Sequence, residues 1–434
     1  MRPDTAAELA RQVNEGLTPA EAVVRRYIDQ VKERDGALRA FAMFDGAEAI
    51  ESARRIDRAQ VRGALAGVPV AVKDNIDTEQ YDTSYGSPIY RGHRPALDAA
   101  CVALLRRAGA VVLGKTVTAE LATFTPGPTR NPHAPDHTPG GSSSGSAAAV
   151  ACAMAPLALG TQTAGSVIRP ASFCGVIGYK PSPRRVPRCG VKMTSDTLDE
   201  VGGFANSVGD VALLASVLAL QPDWARLAAQ GRGAAAPRIG WTLTSRAQQL
   251  EPAMRQAVVQ AAQRAREGGA WVEQIAWPAP FDRLFDAQRT IQLAETARAL
   301  APEYAYRRSE LSVQLVEAIQ EGLGYPEHRY AEALLIGRSG VASIDSLFGA
   351  ADVLIAPSAV GEAPATLAST GDPLFNRPWH LLGCPMIGLP FGRGALGLPL
   401  GISVMARPGQ DALLIAAAAW LEECFSTLEA AGSE

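Results

Sequence analysis

Short apolar runs recur along this chain with helical stretches between them, and that alternation restricts the fold more than any other feature. Val68–Val72, Ala110–Leu113, Gly175–Tyr179, Arg238–Trp241, Trp271–Ile275, Val353–Ala356, Met386–Leu389 and Leu400–Met405 read as strands. Pro252–Glu267, Thr290–Leu300 and Asp411–Phe425 read as helices between or after them. Strands alternating with helices need a sheet buried on both faces. The expected architecture is therefore α/β: a three-layer sandwich with a large mixed twisted β-sheet covered by helices on both faces.

The N-terminal stretch adds helices of its own. Thr5-Ala6-Ala7-Glu8 and Thr18-Pro19-Ala20-Glu21 have capping-box form, the second with Pro at the first helical position. Val23, Val24, Tyr27, Ile28 and Val31 then form one apolar stripe, and a third helix follows near Ala47–Gln60. No linker interrupts the 434 residues. We expect one continuous domain over 1–434, with N-terminal helices at 1–62 and a catalytic core segment at 63–230. A mainly helical, substrate-side segment at 231–350 and a return to the core at 351–434 complete it.

The formal net charge of −3 argues against a general nucleic-acid or anionic-membrane binder. The most apolar stretch, Ala147–Leu159, falls short of the ~20 residues needed to span a bilayer. The first residues lack the apolar core of a signal peptide, so a cytoplasmic location is expected. The six cysteines show no Cys-x-x-Cys spacing, which disfavours zinc knuckles and a disulfide framework and suggests small buried hydrophobes.

Three motifs compete for the chemistry. Gly109-Ala110-Val111-Val112-Leu113-Gly114-Lys115-Thr116 has the spacing of a phosphate-cradling loop, but its interior is a buried strand by propensity, and a strand cannot wrap a phosphate. Gly141-Ser142-Ser143-Ser144-Gly145 has the form of a nucleophile elbow centred on Ser143. An elbow needs a strand directly before it, whereas Arg130–Pro139 holds three prolines and no apolar run.

The third combines Lys73, which ends the run Val68-Pro69-Val70-Ala71-Val72, with Ser142 in the Gly/Ser-rich turn and Ser166 in Gly160-Thr161-Gln162-Thr163-Ala164-Gly165-Ser166-Val167-Ile168-Arg169-Pro170. Two hydroxyls and one buried amine suffice for acyl transfer without histidine or metal. Lys73 can act as a base only if burial lowers its pKa from about 10.4 toward roughly 7–8. Strand alternation should turn Asp74 away from the amine.

The segments Gly67–Asn75, Pro139–Val150, Gly160–Ala171, Phe173–Pro181, Leu198–Asp210 and Thr370–Ile402 resemble the amidase signature family in order and spacing, most weakly at 230–350. The resemblance implies a Ser–cisSer–Lys triad: Ser166 as nucleophile, Ser142 as bridging serine after a cis peptide, and Lys73 as base. It implies an oxyanion hole from the backbone amides of Thr163, Ala164, Gly165 and Ser166. Many family members carry glycine at position 164, and a positive φ there would cost alanine about 1–2 kcal/mol.

The Ser-Val-Ile-Arg-Pro form is similar to malonamidase- and biuret-type small-amide hydrolases, which would make Arg169 a carboxylate clamp; a structural ion pair with Asp196 or Asp199 is the other reading. Phe124 and Thr125 are taken as pocket walls. The expected substrate is a small carboxamide, with no cofactor, no metal, no nucleic-acid or membrane partner, and a possible homodimer. The alternative within the resemblance is the glutaminase subunit of a tRNA-dependent amidotransferase, where Ser-Ile-Arg is usual.

Overall fold

In the computed structural model, residues 4–431 are described; the outermost residues of the expected 1–434 domain lie outside that range. Eleven strands among them form one sheet: β1 (Phe41–Phe44), β2 (Pro69–Lys73), β3 (Val111–Thr116), β4 (Leu157–Gln162), β5 (Ile177–Lys180), β6 (Glu200–Ala205), β7 (Arg238–Trp241), β8 (Trp271–Gln274), β9 (Val353–Pro357), β10 (Met386–Arg393) and β11 (Pro399–Ala406). Their spatial order is β1-β3-β2-β4-β6-β5-β10-β11-β9-β7-β8. The pairs β2–β3, β2–β4, β7–β8 and β7–β9 are parallel, and the remaining neighbours are antiparallel.

Helices cover both faces, as adjacent residues of β6 make plain. A Cβ on Gly202 would meet Val167 at 3.4 Å, whereas one on Gly203 would meet Leu214 at 2.4 Å, from a helix on the other side. The sheet is the three-layer, mixed α/β arrangement that the alternation predicts.

Three strands escape the sequence reading: β1, β4 and β6. β1 is a short edge strand against β3. β6 sits between β4 and β5 but carries Gly202-Gly203, where a side chain at 202 would strike the Tyr179 carbonyl at 2.2 Å. Close backbone approach demands glycine and erases the strand signal.

Thr18 does not cap the second helix, which spans Ala20–Leu38 with Pro19 at the N-cap. The Asp57 carboxylate, from a neighbouring helix, accepts from the N–H groups of Ala20 and Glu21 instead, at 2.7 and 3.0 Å. All six cysteines are free; four are buried, Cys152 is half-buried and Cys189 is exposed, so the buried-hydrophobe expectation fails at Cys189.

Between β8 and β9 the chain is helical: Arg283–Ala299, Ala301–Arg307, Val313–Leu323, Glu327–Ala342 and Ile344–Phe348. No helix among the described residues is long and apolar enough to cross a membrane.

Candidate active site

The parallel strands β2 and β4 end side by side, with Val72 opposite Leu159. In an α/β sheet the crevice for chemistry opens at such carboxyl ends. Lys73 closes β2 there and is fully buried. Burial pushes its amine down to about 7, and the charge of Asp199 opposes the shift. Its Nζ lies 2.7 Å from Ser142 Oγ and donates to Thr161 Oγ1 at 2.7 Å.

Asp74, the next residue, faces elsewhere: it pairs with Lys115 at 3.1 Å and accepts from the backbone N–H of Ser84 at 3.1 Å and its hydroxyl at 2.6 Å. The period-two geometry of a strand thus keeps a carboxylate off the amine. Lys115 itself lies within the buried strand β3, one residue from its end, so the phosphate-loop spacing around it encloses no loop.

The turn before the helix Ser144–Ala151 delivers Ser142. The Gly141–Ser142 peptide is cis, and Gly140 has φ +80°. A side chain at Gly140 would meet Pro170 Cα at 2.7 Å, and one at Gly141 would meet Thr370 Cγ2 at 2.7 Å. The Ser142 carbonyl accepts from Ala119 N–H at 3.0 Å. Ser143, the centre of the elbow spacing, is buried; its hydroxyl lies 3.2 Å from the Thr161 carbonyl and 3.3 Å from the Thr161 N–H. No strand precedes it.

β4 leads directly into Thr163-Ala164-Gly165-Ser166. The N–H groups of these residues meet no acceptor among the described residues. Such a run of free donors can receive an oxyanion. Ala164 lies outside the positive-φ region, so alanine carries no left-handed strain here. Ser166 is half-buried, and its hydroxyl has no hydrogen-bond partner among the described residues.

The next two amides are occupied: Gln162 Oε1 accepts from Val167 and Ile168 N–H at 2.9 and 3.0 Å. Gln162 Nε2 in turn points at His380 Nδ1, 3.4 Å away. Burial holds His380 down to about 3, so the ring is neutral and donates through Nε2 to the Leu198 carbonyl at 2.6 Å.

Arg169 is buried, on the helix Ile168–Cys174. It pairs with neither Asp196 nor Asp199. Its Nη2 donates to the Gly141 carbonyl at 2.6 Å and to Thr370 Oγ1 at 3.0 Å. Asp199 instead accepts from the Thr163 hydroxyl and from the N–H groups of Thr194 and Ser195, while Asp196 faces Arg188 at 3.5 Å. Arg169 Nε and Nη1 are buried without a partner. Burial lowers its pKa to about 10, which leaves it charged at neutral pH.

Thr125 is half-buried, with its hydroxyl on Ser312 Oγ at 2.6 Å. Phe124 is 36% exposed, and no contact among the described residues ties it to Lys73 or Ser142. No group of three or more potential metal-ligating side chains occurs among the described residues.

Sequence reasoning misses Thr161, Asn75 and Gln162. Asn75 Nδ2 donates to Thr161 Oγ1 at 3.1 Å, so the lysine's second partner is itself held. The only available signal is position: Thr161 lies on the strand parallel to and beside that of Lys73.

The sequence profile of the Amidase family matches residues 22–415. A glutamyl-tRNA(Gln) amidotransferase subunit from Synechococcus sp. (strain WH7803) is 31% identical, over 98% of this chain and 97% of that protein. The native peptide amidase of Stenotrophomonas maltophilia superposes with TM-score 0.84 and 30% identity, over 98% of this chain and 97% of that one. A chain described under "an unexpected vestigial protein complex" that "reveals the evolutionary origins of an s-triazine catabolic enzyme" superposes with TM-score 0.88 and 29% identity, over 97% of this chain and 98% of that one.

Proposed function

Because this chain belongs to the amidase family, we propose that it hydrolyses a small carboxamide bearing a carboxylate through an acyl-enzyme on Ser166. The chain is an amidohydrolase acting on C–N bonds. The observation that carries the finer reading is a buried amine, held down to about 7, lying 2.7 Å from the Ser142 hydroxyl.

The steps follow from that amine. Ser166 turns its hydroxyl onto Ser142 Oγ, a contact that often tightens only once substrate is bound. The Ser142 proton passes to neutral Lys73, and Ser142 takes the proton of Ser166. Ser166 Oγ then bonds to the amide carbon, and the carbonyl electron pair moves onto oxygen. The free N–H groups of the 163–166 turn stabilise that charge. As the C–N bond breaks, the proton returns from Lys73 through Ser142 to the leaving nitrogen. Water cleaves the acyl ester through the same relay, releasing the carboxylic acid and restoring the Ser166 hydroxyl.

Arg169 supports a carboxylate on the substrate. Two buried guanidinium nitrogens without partners are an unfinished anion site. Ammonia release measured over amides with and without a carboxylate tests the assignment. Arg169→Ala should raise KM for the acidic amides by about 10- to 100-fold, the scale of one charged hydrogen-bond pair, and change neutral amides less. Equal loss on both kinds would make Arg169 a prop for the Gly141 carbonyl alone.

The second reading is the glutaminase subunit of a tRNA-dependent amidotransferase, favoured by amidotransferase relatives that match over nearly the whole chain. Glutamine turnover seen only with a partner protein would select it; turnover by the purified chain alone would reject it.

A further inference from the structure

The helix Arg283–Ala299 belongs to the segment between β8 and β9, far along the chain from the nucleophile turn. One of its residues, Gln288, is fully buried, an unusual place for a long amide. Gln288 Nε2 donates to the Thr163 carbonyl at 3.0 Å and lies 3.3 Å from Gln292 Oε1.

The consequence comes from peptide geometry. The Thr163–Ala164 unit is planar and trans, so its C=O and N–H leave opposite edges of one plane. A donor that holds the carbonyl from one side aims the Ala164 N–H to the other. The Thr163 side chain is held separately, its hydroxyl donating to Asp199. Carbonyl and side chain are thus anchored on different elements, and the plane cannot swing without breaking one of the two bonds.

We propose that Gln288 is a positioning residue: it locks the Thr163–Ala164 peptide so that the Ala164 N–H is presented to the developing oxyanion. This rests on the assignment of the 163–166 turn as the oxyanion site. Oxyanion donors act by being set before charge develops, and a rotated peptide would offer a repelling carbonyl in place of a donor. The choice of an amide also fits the surroundings. A cationic donor at 288 would put positive charge beside a turn whose neighbour, Lys73, must stay neutral. An ionised carboxylate could not donate at all. Under this proposal the helical segment is part of the reaction machinery as well as a wall.

The test uses the full chain with Gln288→Met, which keeps the length and removes the donor. Ammonia release and the rate of Ser166 labelling by a serine-directed phosphonate are both measured. We expect kcat to fall ~10- to 100-fold, somewhat less than deletion of an oxyanion donor, with phosphonate labelling slowed in proportion. KM should stay within about 2-fold, since the loss is confined to the transition state.

An unchanged kcat, or a raised KM with kcat kept, overturns the proposal. Should Gln288→Met fail to fold, Gln288→Glu decides. Its carboxyl can donate to the Thr163 carbonyl only when protonated, so its activity relative to the unmodified enzyme should climb as pH falls. A ratio flat with pH overturns the proposal as well. Lys73→Ala and Ser166→Ala, run alongside, separate the two levels: activity surviving in either sinks the site assignment itself. Full loss in both with Gln288→Met intact sinks only the role of Gln288.

Discussion

Two lysines lie on adjacent parallel strands, Lys73 ending β2 and Lys115 near the end of β3, and both are fully buried. Burial lowers the pKa of each. Lys115 meets the Asp74 carboxylate at 3.1 Å and donates to Thr83 Oγ1 at 2.5 Å. Lys73 meets two hydroxyls and no carboxylate. The same residue type at the same depth thus has a carboxylate partner in one place and only hydroxyl partners in the other. A carboxylate partner offsets the desolvation of an ammonium, whereas hydroxyls offset little of it. One lysine serves as an internal tie and the other is available as a base, and a single acidic residue, pointed by strand alternation, makes the difference.

The largest effect should separate chemistry from stability. Lys73→Met should cut kcat on the order of 10²–10⁴-fold, the scale of one general base, while the chain stays folded. It should even gain stability, with a definite pH signature. Lys73 has a folded pKa of about 7, below the unfolded lysine value, so the unfolded chain binds more protons between the two. The penalty for burying it is therefore present in full below about pH 7 and fades as pH rises toward about 10.4. The stability difference between Lys73→Met and the unmodified chain, read by thermal melts across pH, should shrink along that rise. A gain that instead grew with pH would mean that the folded protein holds the amine's proton more tightly than the unfolded chain does.

Lys115→Met should do the reverse. It strands the Asp74 carboxylate in the core, and loss of one partner of a buried pair typically costs about 3–5 kcal/mol. Denaturant unfolding should register that loss while folded molecules keep their turnover. If Lys115→Met spared stability and abolished catalysis, the two lysines would have been assigned the wrong way round.

The contrast bears on what a sequence exposes. The sheet and the location of Lys73 are legible because apolar runs and strand alternation are local signals; the orientation of Asp74 follows from the same period. β6 is not legible, because its glycines answer to Tyr179 and Leu214, which approach only in the fold. Nor is the capping of Ala20 and Glu21 by Asp57, or the tie of Arg169 to Gly141 and Thr370. Those bonds join residues distant in sequence, and neither end carries a pattern of its own. Gln162 and Gln288 belong to the same class: each is an unremarkable polar residue until the backbone groups it holds are known.

A smaller effect concerns the one charge that reaches Lys73. Asp199 raises the lysine's pKa against the desolvation that lowers it. In the unmodified enzyme kcat/KM should rise with pH through about 7, as the amine loses its proton, and then level off. Asp199→Asn should move that inflection to lower pH. The height of the plateau will also drop, because Asp199 holds Thr163, so the position of the inflection is the quantity to read. An inflection shifted upward would contradict the sign of the interaction.

The smallest effect probes how the neutral lysine is aimed. Thr161 Oγ1 has two lone pairs and one proton. It accepts from Asn75 Nδ2 at 3.1 Å and from Lys73 Nζ at 2.7 Å, which leaves the lysine's own lone pair for the Ser142 proton. Without Asn75, the Thr161 hydroxyl is free to turn and donate to that lone pair, competing with Ser142. Asn75→Ala should therefore lower kcat by roughly 3- to 10-fold, the scale of one neutral hydrogen bond, with KM little changed. Thr161→Val removes the competing hydroxyl altogether. Combined with it, Asn75→Ala should lose most of its effect on kcat, a coupling that a double-mutant cycle reads directly. Lys115, tied to a carboxylate, needs no such arrangement, so Thr83→Val should leave turnover untouched. If Asn75→Ala costs as much kcat in the Thr161→Val background as alone, Asn75 acts on the site by some route other than the threonine.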